Sequence, residues 1–364
     1  MSAPAVVYGA PLSGVDVVEV PPHLADLFAE AHRRLAMTEV GIHRGDGQVT
    51  TLAAATSGPP PGSDRWLVPD EEVVGAVLGA RDPVILAGPD VVALGAVPGI
   101  HALATALSAG VLNTWGAKGL FDWRSRHHLA TGGLQAQDFA GAGFGDADLI
   151  IAAGVDEREA GGDWRLAPVV EVHPWALSVL AERVGRAPSG IPLPRLRREL
   201  AAATQAGWVV ERGPLPPSRV TRTYGLAMAG AGIVAADPGT AGFWVARTLP
   251  TSGLGGAQVP ADPRTAGFAI ACTIVAGLLQ PGRPALAVVD ALGEVGPQVL
   301  EEAQRLGVPV AVEVWDSDGE VLDADAHAAR LDRLLRDGGV ATLATSPDQW
   351  AEMLAVAGPL TAWA

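Results

Sequence analysis

The sequence contains one cysteine, Cys272, and one lysine, Lys118, among 364 residues. A single cysteine has no partner for an internal disulfide, which is typical of proteins from reducing compartments. No apolar run reaches the length of a membrane-spanning helix, and the first residues lack a basic stretch followed by an apolar one. We therefore expect a cytoplasmic protein without a membrane segment.

Positive charge is also scarce. Lysine and arginine together number 25 against 40 acidic residues, which gives a net charge of −15. With no basic patch in the sequence, this excess argues against a nucleic acid or an anionic membrane as partner. A composition of 49% hydrophobic and 18% charged residues is typical of a folded chain, and the length favours two or three domains.

The regular part of the sequence alternates apolar strands with helices, which predicts parallel sheets covered on both faces. The predicted strands are residues 83–88, 111–116, 147–154, 168–173, 231–237, 284–290, 308–315 and 340–345. The fold class is therefore α/β, with two doubly wound parallel-sheet domains in tandem. Our expected divisions are an N-terminal segment and linker (1–66), a middle domain (67–210) and a C-terminal domain (218–364).

Two aspartates end predicted strands of the C-terminal domain. Asp237 and Asp290 each precede a predicted helix, and the stretch 315–320 ends the next strand along. Ligands of such sheets lie outside the carboxyl ends of the strands, and helix N-termini bind phosphate. Asp290 is therefore a candidate Mg²⁺ ligand beside a phosphate, and the alternatives are a helix N-cap or a solvated strand end.

The stretch GFAIACTIVAGLLQPGRPALAVV (267–289) resembles the thiamine diphosphate domain of acetolactate synthase-like enzymes. Their motif continues with G-D-G and, after a helix and a strand, N-N-x-G. Counting residues back from Pro309 places Asp290 at the G-D-G aspartate, whereas counting forward from Arg283 and Pro284 places Ala291 there. DSDG (316–319) takes the place of N-N-x-G.

The resemblance implies thiamine diphosphate and Mg²⁺ as cofactors and assigns residues to them. The implied metal ligands are Asp290, Ser317 and Gly319. The implied cofactor-binding residues are Asp237, Gly239, Thr265, Ala266 and Gly267. No catalytic residue is assigned, because Glu30 and Glu39 lack the sequence context of the family's activating glutamate.

The preceding part of the chain resembles the family's middle domain, which binds a nucleotide in some relatives. The resemblance covers the segments PVILAG, VLNTWGAKG and ADLIIAAG. Thr114, Lys118, Gly119 and His127 fall at matching places, and we interpret Lys118 and His127 as structural residues. Only 66 residues precede this domain, so the family's N-terminal pyrimidine-binding domain is expected to be absent from this sequence.

The C-terminal stretch departs from the family where the chemistry would occur. Val289 and Ala291 replace the two glycines around the aspartate, Asp316 and Ser317 replace the asparagines, and Ala266 replaces a methionine. The leading hypothesis is a thiamine diphosphate enzyme-like protein with a degenerate cofactor site and a binding, assembly or regulatory role.

Two other hypotheses stay open. One is the large subunit of a split decarboxylase or carboligase whose pyrimidine-binding domain lies on another chain. The other is a nucleotide-binding protein that acts through the middle domain. The resemblance also implies a homo-oligomer.

Overall fold

The computed structural model describes residues 5–7, 18–35, 40–43, 49–52, 64–185, 191, 193–228 and 231–363. Contacts divide the chain into two compact units, and neither is continuous in sequence. The middle unit comprises Thr56–Gln205, Thr251–Leu254 and Gln349–Ala364. The other unit, called the flanking unit here, has segments that alternate in sequence with those of the middle unit and comprises Met1–Ala55, Ala206–Pro250 and Gly255–Asp348. The linker expected at residues 56–66 lies largely outside the described residues, as does Glu39.

The N-terminal segment contributes a small sheet and a helix to the flanking unit. The elements are β1 (Ala5–Val7), β2 (Val18–Val20), α1 (Ala25–Leu35), β3 (Val40–His43) and β4 (Val49–Leu52). The strands pair antiparallel in the order β2-β1-β3-β4. A helical turn, Pro22–Leu24, leads into α1.

The middle unit is built on a parallel five-stranded sheet. Its strands are β5 (Pro83–Ala87), β6 (Gly110–Thr114), β7 (His128–Gly132), β8 (Leu149–Ala153) and β9 (Val169–Val172). They lie in the order β7-β6-β5-β8-β9, with β5 at the centre. Every residue of β6 and β8 is buried, as expected for central strands that are covered on both faces.

Helices pack against this sheet and enclose an apolar core. They are α2 (Asp64–Leu67), α3 (Glu71–Gly79), α4 (Pro89–Ala93), α5 (Val97–Leu107), α6 (Asp138–Gly141), α7 (Leu177–Val184) and α8 (Arg195–Trp208). The fully buried core residues include Ile85, Ile100, Leu103, Ile151 and Leu177.

The flanking unit is built on a second parallel sheet of five strands. Along the chain the elements are α9 (Pro217–Met228), β10 (Ile233–Ala236), α10 (Thr240–Thr248), β11 (Ala257–Gln258), α11 (Phe268–Leu279), β12 (Ala285–Val289), α12 (Val295–Leu306), β13 (Ala311–Glu320), α13 (Ala324–Asp337) and β14 (Gly339–Leu343). The strand order is β11-β10-β12-β13-β14. The last helix, α14 (Gln349–Ala357), belongs to the middle unit.

Two parallel sheets with flanking helices confirm the predicted α/β class and the tandem of doubly wound domains. The sequence did not predict that the N-terminal segment joins the flanking unit or that α14 joins the middle unit. Within the described ranges, the structure has no helix that is both long enough and apolar enough to cross a bilayer.

A buried polar network ties β13 to α9 and α13. The carboxylate of Glu313, fully buried on β13, accepts hydrogen bonds from Arg330 Nη2 at 2.8 Å and from the Tyr224 hydroxyl, and lies 3.1 Å from His327 Nε2. Trp315 Nε1 donates to the same tyrosine oxygen at 2.8 Å. Burial acts to raise the pKa of Glu313, but the His327 and Tyr224 bonds and the Arg330 charge outweigh it and lower that pKa. Glu313 is therefore an ionised carboxylate inside the protein.

Replacing Glu313 by glutamine tests this network. The variant leaves Arg330 without its buried counter-charge, so we expect a loss of about 3–5 kcal/mol in the free energy of unfolding. Glu320→Gln is the matched control, because Glu320 pairs with the same arginine from an exposed position, and it should cost less than about 1 kcal/mol. Urea unfolding of both variants measures the difference, and equal losses would contradict the assignment.

Candidate functional site

The carboxyl ends of β10 and β12 form the switch point of the flanking sheet. These two strands are neighbours, β11 lies beyond β10 on one side, and β13 lies beyond β12 on the other. The chain therefore leaves the two strands in opposite directions, which opens a crevice where doubly wound proteins bind ligands. Asp237 follows β10 and Asp290 follows β12, so the sheet brings the two candidate aspartates to this place.

Asp237 caps the helix that leads to β12. Its Oδ2 accepts a hydrogen bond from Gly267 N and its Oδ1 accepts one from Ala269 N, both at 2.7 Å, at the start of α11. Burial raises the pKa of Asp237 to about 6, against the opposing effect of the two N–H donors, and nearby Asp290 adds to the rise. The side chain satisfies two helix-end amides that would otherwise lack a partner.

Asp290 caps the helix that follows β10. Its Oδ2 accepts from Thr240 N at 2.7 Å and its Oδ1 accepts from Ala241 N at 2.9 Å, in the first turn of α10. Burial raises the pKa of this carboxyl group too, while the same two N–H donors act to lower it. The first turn of a helix attracts anions, and here the chain's own carboxylate is that anion.

Glycines allow this close approach. Gly239, at φ 129° and ψ −153°, has a conformation open essentially to glycine alone, and a Cβ on it would overlap Asp290 Oδ2. Gly267, at φ 87°, begins α11, and a Cβ there would come within 2.9 Å of Val295 Cγ1. The structure therefore brings Asp237, Gly239, Gly267 and Asp290 together.

The other residues implied by the resemblance have different contacts. Thr265 Oγ1 donates to the carbonyl oxygen of Asp262 at 2.6 Å, and Ala266 is exposed. Ser317 is exposed on β13, and a Cβ on Gly319 would lie 2.7 Å from the carbonyl carbon of Leu343. These two residues belong to a register irregularity in which Leu343 pairs with both Trp315 and Glu320. Their assignment as metal ligands stays a prediction.

The two aspartates and the four N–H groups that they bind can be compared with what Mg²⁺ and a diphosphate require. Mg²⁺ takes oxygen ligands in octahedral geometry, and a phosphate at a helix end needs free N–H groups. Here both oxygens of each aspartate accept backbone hydrogen bonds, and all four of those N–H groups are used. In the part of the chain that the structure describes, no three His, Cys, Asp or Glu side chains group as a metal site. In this arrangement the N–H groups at the two helix starts are already bonded within the chain and do not fit a diphosphate.

The middle unit has its own switch point, between β5 and β8, where the chain packs against itself. Gly88 N donates to the carbonyl oxygen of Ala153 at 2.9 Å, and Asp90 N donates to that of Gly154 at 3.1 Å. A Cβ on Gly88 would overlap the Gly154 carbonyl oxygen, and Gly154 has φ 59°. The turns after β5 and β8 therefore pack directly against each other at the strand ends.

The polar residues after β6 are held by a buried glutamate that sequence reasoning missed. Glu159 Oε2 accepts hydrogen bonds from Thr114 Oγ1 and Gly116 N, both at 2.7 Å. Lys118 is buried with its Nζ 3.5 Å from Thr131 Oγ1. His127 Nδ1 lies 2.9 Å from the carbonyl oxygen of Ala109. The matching threonine, lysine and histidine thus lie in internal contacts, and the lack of any nearby motif around Glu159 explains why it was missed.

Comparison with known proteins supports the interpretation of the middle unit. Residues 71–176 match the family model of the central domain of thiamine pyrophosphate enzymes. The match runs from the start of α3 through β9 and so includes all five strands of this sheet. The middle unit is thus similar to the central domain of thiamine pyrophosphate enzymes over these residues. No curated protein matches the chain.

Substituting Asp237 by asparagine tests the capping interaction through pH. The folded carboxyl group holds a proton up to about pH 6, whereas the unfolded one releases it near pH 4, so rising pH removes stability across that interval. The pKa shift of Asp237 corresponds to about 3 kcal/mol in the free energy of unfolding. Asp237→Asn lacks this titration, so its unfolding free energy should fall less than that of the wild type between pH 4 and pH 7.

Urea unfolding at four pH values in this range measures the difference between the two proteins. Other buried groups titrate in both proteins, and their contributions cancel in the comparison. Asp316→Asn, at an exposed carboxylate of the same unit, should follow the wild-type curve. Parallel curves for Asp237→Asn and the wild type would mean that the buried carboxyl group does not titrate as described.

Proposed function

We propose that this chain is a thiamine diphosphate enzyme-like protein whose cofactor site has been closed by its own carboxylates. It acts by binding or assembly, with a homo-oligomer as the expected state, and not by thiamine chemistry. The observation that carries the proposal is the pair of hydrogen bonds from Thr240 N and Ala241 N to Asp290. A carboxylate there takes the position in which an external anion would bind the helix end.

Opening the site would be costly in free energy. A diphosphate could reach the N–H groups of Thr240 and Ala241 only after displacing Asp290, and each lost charge-assisted bond costs about 1.5–3 kcal/mol. The displaced carboxylate would then lie near Asp237 and near the negative phosphates. Mg²⁺ would offset that repulsion, but its expected carboxylate ligand is the same Asp290.

The residues around Asp290 support the same conclusion. Val289, which precedes Asp290, is buried in the sheet core, and Ala291 is the residue after Asp290. The family's motif has glycine at both positions, where the absence of a side chain lets a ligand approach the backbone. The close approach that remains in this chain, at Gly239, is used by Asp290 itself.

Calorimetry on the full chain distinguishes a closed site from a working one, because the two predict opposite effects of Asp290→Ala. For a closed site, the wild type shows no saturable binding of thiamine diphosphate with Mg²⁺ at pH 7. Asp290→Ala, which frees the N–H groups of Thr240 and Ala241, gains weak, metal-independent binding of pyrophosphate. Glu301→Ala removes an exposed charge from α12 of the same unit and should behave as the wild type.

Saturable, Mg²⁺-dependent binding of thiamine diphosphate by the wild type, abolished by Asp290→Ala, would contradict the proposal. If that binding required a separately purified pyrimidine-binding domain, the split decarboxylase or carboligase would replace it.

A further inference from the structure

Helix α1 covers part of α11 with an apolar stripe that contains one histidine. Leu24, Phe28, Ala31 and His32 recur at helical spacing and are 0–2% exposed, packed in the core that α1 shares with α11. A histidine in such a stripe occupies a position that apolar residues normally fill. His32 is therefore the polar exception in an otherwise apolar contact.

The helix beneath α1 is apolar along its length. All residues from Phe268 to Ala276 are buried, including the sole cysteine, Cys272. Burial raises the pKa of the Cys272 thiol, and the charges of Arg34 and Glu30 of α1 also act on that pKa. The carboxyl-terminal half of α1 therefore lies close to Cys272.

The imidazole of His32 is fully buried with neither ring nitrogen in a hydrogen bond. Neutral imidazole tolerates this position, whereas the charged form would be an unpaired cation in an apolar contact. Burial accordingly lowers the pKa of His32 to about 4.

Among the described residues, several ionisable groups lie on the elements around α1, but none of them forms a hydrogen bond with His32. The ionisable residues on the described elements there are listed here by element: Glu19 on β2, His23 on the turn before α1, Asp26, Glu30, Arg33 and Arg34 on α1, Cys272 on α11, Arg283 after it, and Glu294, Glu301, Glu302 and Arg305 on α12. Strand β1, which also packs on α1, carries none. Glu30 pairs with Arg33 and Arg34, and Glu302 pairs with Arg305, so these two carboxylates already have cations.

We infer that α1 is an acid-sensitive cover, which lies on α11 while His32 is neutral and detaches when His32 is protonated. The released histidine regains water, and the apolar face of α11 around Cys272 becomes accessible. At neutral pH the contact is closed, and mild acid opens it without requiring the sheet to unfold. The acid sensitivity depends on one side chain, His32, in the middle of the contact between α1 and α11.

The expected size follows from proton linkage. With a pKa near 6.5 in the open form and about 4 in the closed form, the closing equilibrium weakens roughly 20-fold between pH 7 and pH 5.

Labelling of Cys272 measures the opening directly, because it is the only cysteine in the chain. A pyridyl disulfide reagent reacts with thiols at acid pH, and the rate on the urea-unfolded chain at each pH corrects for intrinsic reactivity. The protection of Cys272 in the wild type should fall about 20-fold from pH 7 to pH 5. In His32→Leu it should stay constant across that range.

Three further variants control the experiment. His32→Gln, polar but unable to titrate, should also give constant protection. Phe28→Ala, which weakens the same contact by removing apolar area, should lower the protection of Cys272 at both pH values. The fall of about 20-fold between pH 7 and pH 5 should remain. His128→Leu removes a buried histidine of the middle unit and should leave the wild-type slope unchanged.

Wild-type protection that does not change with pH would overturn the inference, as would an equal fall in His32→Leu. Labelling that follows global unfolding, judged by the tryptophan circular dichroism signal in the same samples, would overturn it as well.

Discussion

The crossed capping of two helix N-termini by Asp237 and Asp290 is the interaction on which the flanking unit depends. The aspartate after β10 binds the helix that leads into β12, and the aspartate after β12 binds the helix that follows β10. Each carboxylate therefore joins elements that are separated in sequence by about thirty to fifty residues. At the place where a doubly wound sheet ordinarily opens to a ligand, four backbone N–H groups donate hydrogen bonds to these two carboxylates.

In both units the chain contacts itself at the switch point of the sheet, but different groups make the contact. In the middle unit, two glycine-containing turns after β5 and β8 pack directly against each other at the switch point. In the flanking unit, charged side chains serve as internal anions for helix ends. Both crevices are thus occupied by the chain itself at the strand ends. This is the observation behind our proposal that the chain acts by binding or assembly, despite the family match of its middle unit.

The positions of strands and helices were more predictable from the sequence than the contacts between these elements. Apolar runs such as 284–290 and 147–154 identify parallel strands because such strands are buried on both faces. The sequence also places Asp237 and Asp290 at the carboxyl ends of predicted strands, where ligands of such sheets lie. The exchange of caps between them was not predictable, because it depends on which strands become neighbours. The same is true of α14, whose pattern shows an amphipathic helix but not the unit that it covers, and of Glu159, whose role depends on a turn far along the chain.

Amide hydrogen exchange tests the crossed caps most directly, because first-turn amides of a helix normally lack an intrahelical partner and exchange quickly. The account predicts that Thr240, Ala241, Gly267 and Ala269 are protected in the wild type. Asp290→Ala should then speed exchange at Thr240 and Ala241 and leave Gly267 and Ala269 slow. Wild-type exchange at Thr240 and Ala241 as fast as that of exposed amides would contradict the claim that Asp290 occupies this helix end.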